Sequence, residues 1–329
     1  MTEAPAPNGH RLAEYQALVD GAGLVDLGRR TQIELTGADR AQFLHNLCTN
    51  EIRKLLPGTG CEAFLTTVQG KTLAHVFVFV CPDSLVLDTV SDQSETILAH
   101  LDHYLVCEQV AFEDRTTQWS EVLLAGAHSE SLLRGLAGGL PPPGRLAHGV
   151  AEVAGQRIFV RRVDVTGPQG FLLSGRDDDV AAVRRAMVEA GAMQCGSEAF
   201  EAARIERCFP IFGHDISAQN LPQEIGRDAL AISFTKGCYL GQETVARIDA
   251  LGHVNKLLVG LRFFGQQVPQ AQTELLAEGL HVGSVTSAVY APRLGAPVAL
   301  GFVRPGHNAP GARLQSAVGE AEVVPAQAS

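Results

Sequence analysis

The sequence has no apolar run near the ~18 residues of a membrane span, and its longest candidate, Leu73–Cys81, is broken by His75. Its first residues, MTEAPAPNGH, hold an acid and two prolines but no apolar stretch, which points to a short disordered lead rather than a secretory signal. No CxxC pair occurs, and the seven cysteines are scattered at 48, 61, 81, 107, 195, 208 and 238. Zinc ribbons and thioredoxin-type motifs are thereby excluded, and a reduced, cytoplasmic protein is expected. There is no GxSxG, P-loop or HExxH. Gly21-Ala22-Gly23 lacks the third glycine and the preceding strand of a dinucleotide fingerprint. Aromatics are scarce, at 6% with a single Trp. Basic residues are outnumbered 26 to 36, for a net charge of −10. Such a chain repels nucleic acid and anionic membranes, so neither is expected as a direct partner.

What is present is globular: 329 residues, 46% hydrophobic and 19% charged, enough for two or three domains. The spacing predicts a helix over Leu12–Val19, a strand at Ile33–Leu35, and a helix after Asp39 carrying Phe43, Leu44 and Leu47. Strands follow at Glu62–Thr67, Leu73–Val80 and Ser84–Thr89, the first two joined by the hairpin chemistry of Val68-Gln69-Gly70-Lys71. Asp92 and Glu95 suggest a capping box for a helix with Ile97, Leu98 and Leu101 on one face. Further strands and helices alternate up to Ser197–Arg207, an α+β pattern. After about Leu251 short strands dominate, punctuated by Gly and Pro. Residues 1–250 thus form one region and 251–329 a small β-barrel.

One segment is far more specific. Lys236-Gly237-Cys238-Tyr239-Leu240-Gly241-Gln242-Glu243 resembles the KGCYxGQE signature of the YgfZ-type folate-binding proteins. That family belongs to the superfamily of the glycine-cleavage T-protein, an aminomethyltransferase. Leu35-Thr36-Gly37-Ala38-Asp39-Arg40 is similar to the superfamily's first strand–helix unit. Thr166-Gly167 through Gly170-Phe171 resembles its TGExG stretch, with Pro168 in place of Glu. Arg204-Ile205-Glu206 through Pro222-Gln223-Glu224 resembles its pterin-pocket segment, and Val282–Gly301 its terminal barrel. The resemblance implies a three-lobed ring of two interleaved α+β subdomains plus the barrel, with tetrahydrofolate or a one-carbon derivative in the central hole. It also implies an accessory role toward iron–sulfur client enzymes or assembly factors, with an indirect effect on tRNA modification. A folate-dependent one-carbon transferase or demethylase is the alternative.

T-proteins carry GGxxDD in the second hairpin, where an Asp is catalytic. The matching stretch here is Gly70-Lys71-Thr72-Leu73-Ala74-His75, and Ala74 and His75 replace both acids. Without a carboxylate to steer the folate proton, aminomethyl transfer is expected to fail. Cys238 is the candidate reactive group, read as a thiol near a helix start beside Lys236, where thiolate is favoured. Glu206 suits a pterin, whose 2-amino group and ring N–H offer two parallel donors to one carboxylate. Thr166, Gly167, Arg204, Lys236, Gly237, Tyr239, Gly241, Gln242, Glu243 and Arg247 complete the expected folate contacts. Arg161, Arg162 and Arg204 are candidates for a basic mouth toward the glutamate tail. His100 and His103 share a helix face but lack a third ligand, so no metal site is expected.

Overall fold

The computed structural model describes residues 9–252 and 254–325. The expectation for residues 1–8 lies outside these, and Gly9 already opens helix α1 (Gly9–Val19). The chain continues through β1 (Gly23–Gly28), β2 (Thr31–Thr36), α2 (Arg40–Leu47), β3 (Gly60–Thr66), β4 (Thr72–Val80), β5 (Ser84–Thr89), α3 (Ser94–Tyr104) and β6 (Ala111–Asp114). Then come β7 (Trp119–Ala125), α4 (Ser129–Leu136), β8 (His148–Val153), β9 (Gln156–Val163), β10 (Gly170–Arg176), α5 (Asp177–Glu189), β11 (Met193–Cys195) and α6 (Ser197–Glu206). A 3-10 turn (Pro222–Ile225), α7 (Asp228–Ala231) and α8 (Gln242–Leu251) lead to six further strands. These are β12 (Leu257–Phe263), β13 (Glu274–Ala277), β14 (Leu280–Ala291), β15 (Ala296–Val303), β16 (Arg313–Ser316) and β17 (Gly319–Val324).

Two sheets and a closed barrel result. One sheet has the order β3-β4-β5-β2-β6, the other β11-β1-β7-β10-β9-β8, and the barrel runs β12-β15-β14-β13-β16-β17. β1 belongs to the second sheet although the whole first sheet follows it in sequence, so the two α+β units are interleaved as expected.

Strand β4 shows why the sheets stack. Its sequence, TLAHVFVFV, is almost continuously apolar, the pattern of a strand covered on both faces. Ala74, Val76, Val78 and Val80 pack with Phe43, Leu44 and Leu47 of α2 and Ile97 and Leu101 of α3. Phe77 and Phe79 point the other way, onto Leu123, Val163 and Leu172 of the second sheet. That sheet's outer face, with Leu124, Val160 and Leu173, carries Val180, Val183 and Met187 of α5. The order of layers is therefore helix, sheet, sheet, helix, and the site lies between the sheets.

Local details differ from the sequence reading. Asp92 takes a left-handed backbone, φ 62°, and caps nothing, because α3 starts later, after Gln93. Asp tolerates that conformation, and the turn uses it. Asp39 does not cap α2 with its side chain; its Oδ2 accepts from the backbone N–H of Gln109, 2.7 Å away. Ile232–Phe234 is the irregular exit from α7.

Charge is also buried between the layers. Glu62 on β3 is fully buried, and three chain segments converge on it. His75 Nε2 lies 2.7 Å from Oε1. Arg227 Nη2 donates to Oε2 at 2.7 Å and its Nε to Oε1, while Arg145 Nη2 also reaches Oε2. Burial opposes ionisation here, but Arg227 and His75 outweigh it and hold the carboxyl well below the usual range. Replacing Glu62 by Gln leaves the Arg227 guanidinium without its carboxylate partner in the interior, while Arg145 keeps Asp164 at 2.9 Å. The expected loss at neutral pH is about 3 kcal/mol in urea unfolding, since breaking a buried pair costs more than the pair itself contributes. A lowered carboxyl pKa stabilises above the unfolded value and ceases to do so as pH falls through the folded one. The wild-type and Glu62→Gln stabilities should therefore converge in strong acid; a constant gap would contradict the assignment.

Candidate functional site

A cavity of about 470 Å³ lies between the sheets, within the usual size range of small-molecule sites. Its wall includes His75 and Phe77 of β4, Leu123 of β7, Leu172 of β10, Phe200 of α6 and the segment Phe209–His214. The alternation of β4 places His75 here and turns Ala74 into the helix-side core. The imidazole stacks on Phe64 with ring centres 5.0 Å apart, and Phe209 lies 5.9 Å away. Glu62 is ionised, so His75 Nε2 carries the proton of their shared hydrogen bond.

Asp88, on β5, is the buried carboxylate in this wall. It is bound by Arg30 at 2.7 and 3.0 Å, by Arg161 at 2.5 Å and by Gln32. Burial raises its pKa, but Arg30 and Arg161 prevail and keep it low. Its neighbour Glu121 shares the same two cations, yet burial and the Asp88 charge push it up to about 7. Asp88 is thus occupied by structural partners and is not available as a base.

A second cavity, about 310 Å³, holds Glu206 at the end of α6, with Tyr15 of α1, Thr166, Gly167 and Arg293 of the β14–β15 turn. Tyr15 donates to Glu206 Oε2 at 2.7 Å. Burial and the Glu206 charge push the phenol far up, so it remains a donor. Burial likewise raises Glu206 despite the Tyr15 bond and the Arg293 charge. Among the described residues, Glu206 Oε1 and Thr166 Oγ1 are buried without a hydrogen-bond partner. Two orphaned polar atoms in one cavity are unusual in a folded protein and fit a polar ligand edge.

The structure does not bring the remaining expected contacts to either cavity. Lys236 is buried, and its ammonium donates to the carbonyls of His45 (2.5 Å), Cys48 (2.7 Å) and Asn50 (2.9 Å). It therefore satisfies the free carbonyls around the end of α2. Tyr239 is buried beneath it, with the ammonium 4.7 Å from the ring centre. Leu240 is bonded through both backbone groups, its N–H to Asn46 O and its carbonyl to Thr66 Oγ1. Gly241 has φ 78°, and a Cβ there would lie 2.5 Å from Thr67 O. Only glycine allows that approach, which locks the segment onto the β3–β4 hairpin. Gly237 has open space at its Cβ position and no such constraint. Gln242 begins α8, while Glu243 and Arg247 are exposed and form no ion pair with each other among the described residues.

Cys238 is exposed, but α8 starts four residues later, at Gln242, and the Lys236 ammonium is committed to carbonyls. The Lys236 part of the argument for its reactivity therefore does not hold. Arg204 is fully buried against Glu201 and Asp215, each at 2.8 Å. Arg161 is buried among Asp88, Glu121 and Gln32, and Arg162 is bonded to Glu130. These three cations form no basic mouth. His100 and His103 lie against Tyr104, and no group of three metal-ligating side chains occurs among the described residues.

Sequence reasoning missed Glu62, Tyr15, Phe209 and Arg293. Glu62 left a signal, a lone acid within the apolar strand GCEAFLT. The other three left none, because their elements meet only in the folded chain.

Two face-to-face sheets interleaved in sequence, a closed barrel and an aromatic cavity between the sheets define the aminomethyltransferase fold class. The chain belongs to the glycine-cleavage T-protein superfamily. Residues 7–236 match the GCVT N-terminal domain, and residues 256–329 match the glycine cleavage T-protein C-terminal barrel domain. An aminomethyltransferase of Nostoc sp. is 28% identical over 301 residues, 88% of this chain and 79% of that protein. One from Symbiobacterium thermophilum is 27% identical over 326 residues, 95% and 86% of the two chains. The crystal structure of glycine cleavage system aminomethyltransferase T from Bartonella henselae superimposes with a TM-score of 0.85 at 19% identity. It covers 96% of this chain and 88% of its own, and shows the fold.

Cys107 is exposed as well as Cys238. Cys48 and Cys61 are buried, and burial pushes both thiols up. Iodoacetamide at pH 7 should label Cys107 and Cys238 first, as read by mass spectrometry. Equally fast labelling of Cys48 would show that the Lys236 contacts around α2 are open in solution.

Proposed function

We propose that this chain binds a reduced folate, tetrahydrofolate or a one-carbon derivative, between its sheets. In this reading it serves as a YgfZ-type accessory protein for iron–sulfur enzymes, with an indirect effect on tRNA modification. The observation that carries the reading is His75, bound to Glu62 at the place where the T-protein resemblance puts a carboxylate. The residues present fit the ligand. In the cavity at Glu206, Glu206 Oε1 and Thr166 Oγ1 are orphaned polar atoms for a pterin edge, while the cavity at His75, which shares no lining residue with it, offers Phe77, Phe200 and Phe209 as apolar walls for a planar ring. When bound, the folate supplies a carrier for a one-carbon unit. The protein's own groups orient it: Glu206 accepts from the pterin donors, Tyr15 fixes the carboxylate, and Leu18 and Val19 of the same cavity exclude water. His75 holds its proton at Nε2 toward Glu62, so that nitrogen does not act as a base.

The names of the relatives favour a second reading, a folate-dependent one-carbon transferase in which His75 works in place of the carboxylate. The two readings share the ligand and differ in turnover.

Calorimetry with tetrahydrofolate should show binding, and Glu206→Gln should weaken it by roughly 1–3 kcal/mol through loss of a charge-assisted acceptor. An aminomethyl donor should yield no 5,10-methylene-tetrahydrofolate at a useful rate, while the protein restores iron–sulfur enzyme activity in cells lacking it. Robust methylene transfer without that restoration selects the second reading. Absence of folate binding refutes both.

A further inference from the structure

The largest of the described cavities is a different one. About 810 Å³ in volume, it shares no lining residue with the cavity at His75 or with that at Glu206. One wall is the face of the second sheet that carries Trp119 of β7, Arg176 of β10, and Phe159 and Arg157 of β9. Arg176 sits directly opposite Trp119, and Ser174 opposite Phe159. Arg157 is two residues from Phe159 and so projects from the same face. The Trp119 and Phe159 rings are 6.5 Å apart and inclined at 48°.

The charges of this groove are unequal in availability. Arg115, on the opposite wall, lies 5.3 Å from the Trp119 ring centre, and its guanidinium is taken by Glu34 and Glu113. Arg161, beneath Phe159, is spent on Asp88 and Glu121. Arg157 and Arg176 are exposed and make no ion pair or hydrogen bond among the described residues. A chain with a net charge of −10 thus places two unpaired guanidinium groups beside its only Trp. The one unpaired acid in the lining is Asp179, in the first turn of α5.

We infer that this groove binds a nucleoside phosphate. The base lies against Trp119, beside Phe159, whose ring is already stacked on His148 at 5.2 Å; the phosphate is held by Arg157 and Arg176, and Asp179, in the lining of the same groove, is the acceptor for an exocyclic amine. Guanidinium groups suit phosphate because their paired N–H donors match its oxygens. Aromatic faces and guanidinium planes suit the base by stacking.

Trp119 is the only tryptophan, so the emission of the intact protein reports on this groove alone. AMP should quench it saturably, with adenosine and inorganic phosphate each at least about tenfold weaker, because each supplies half of the contacts. The double variant Arg157→Gln/Arg176→Gln should lose about tenfold or more in AMP affinity. Its melting midpoint should not change, since both side chains are exposed. No saturable response to AMP up to about 5 mM overturns the proposal, as does undiminished affinity in the double variant. Phosphate binding as tightly as AMP also overturns it, because the rings would then have no part in recognition.

Discussion

Neutralising charge between two stacked sheets is the constraint on which the interior depends. Glu62 is buried on β3, and a lone carboxylate there would be prohibitively costly. It is matched by Arg145, before β8, Arg227, after the 3-10 turn, and His75 on the neighbouring strand. Three parts of the chain, far apart in sequence, must therefore meet at one point. Their meeting sets the cavity: His75 is held in its wall, and Arg227 lies 4.9 Å from the ring of Phe209, which closes it. The group of Arg30, Arg161, Asp88 and Glu121 does the same further along, with Arg161 sandwiched between Phe79 and Phe159 at 4.6 and 4.7 Å. Sheets joined by such bulky, directional contacts cannot collapse onto each other, so space for ligands persists between them.

The signature segment takes on a different meaning in this frame. Its residues form a latch more than a reactive loop. Lys236 holds the carbonyls around the end of α2, Leu240 bonds to α2 and β3, and Gly241 crosses the hairpin at a distance only glycine permits. The reciprocal contact is equally tight, since a Cβ on Gly70 would lie 2.7 Å from Thr244 Cβ. The hairpin fixed in this way is the one that presents His75. The motif thus acts on the cavity through the position of β4, and Cys238, exposed like Gly237 and Glu243, lines neither cavity.

The sequence by itself determined the α+β class, most of the strands and the barrel. Those follow from local alternation and turn chemistry, such as the apolar run of β4 and the Gly70 hairpin. It also determined that no carboxylate stands at positions 74 and 75, which is a matter of residue identity. Only the tertiary structure decided which polar groups are available. Lys236, Arg161 and Arg204 look like ligand cations in sequence, yet buried charge must find partners, and their partners are internal. Among the described residues, Glu206 keeps one oxygen without a partner because α1, the Thr166 turn and the Arg293 turn converge around it and only Tyr15 bonds to it. Such pairings join residues up to about two hundred positions apart, as Tyr15 and Glu206 are, and no local pattern of side chains encodes them.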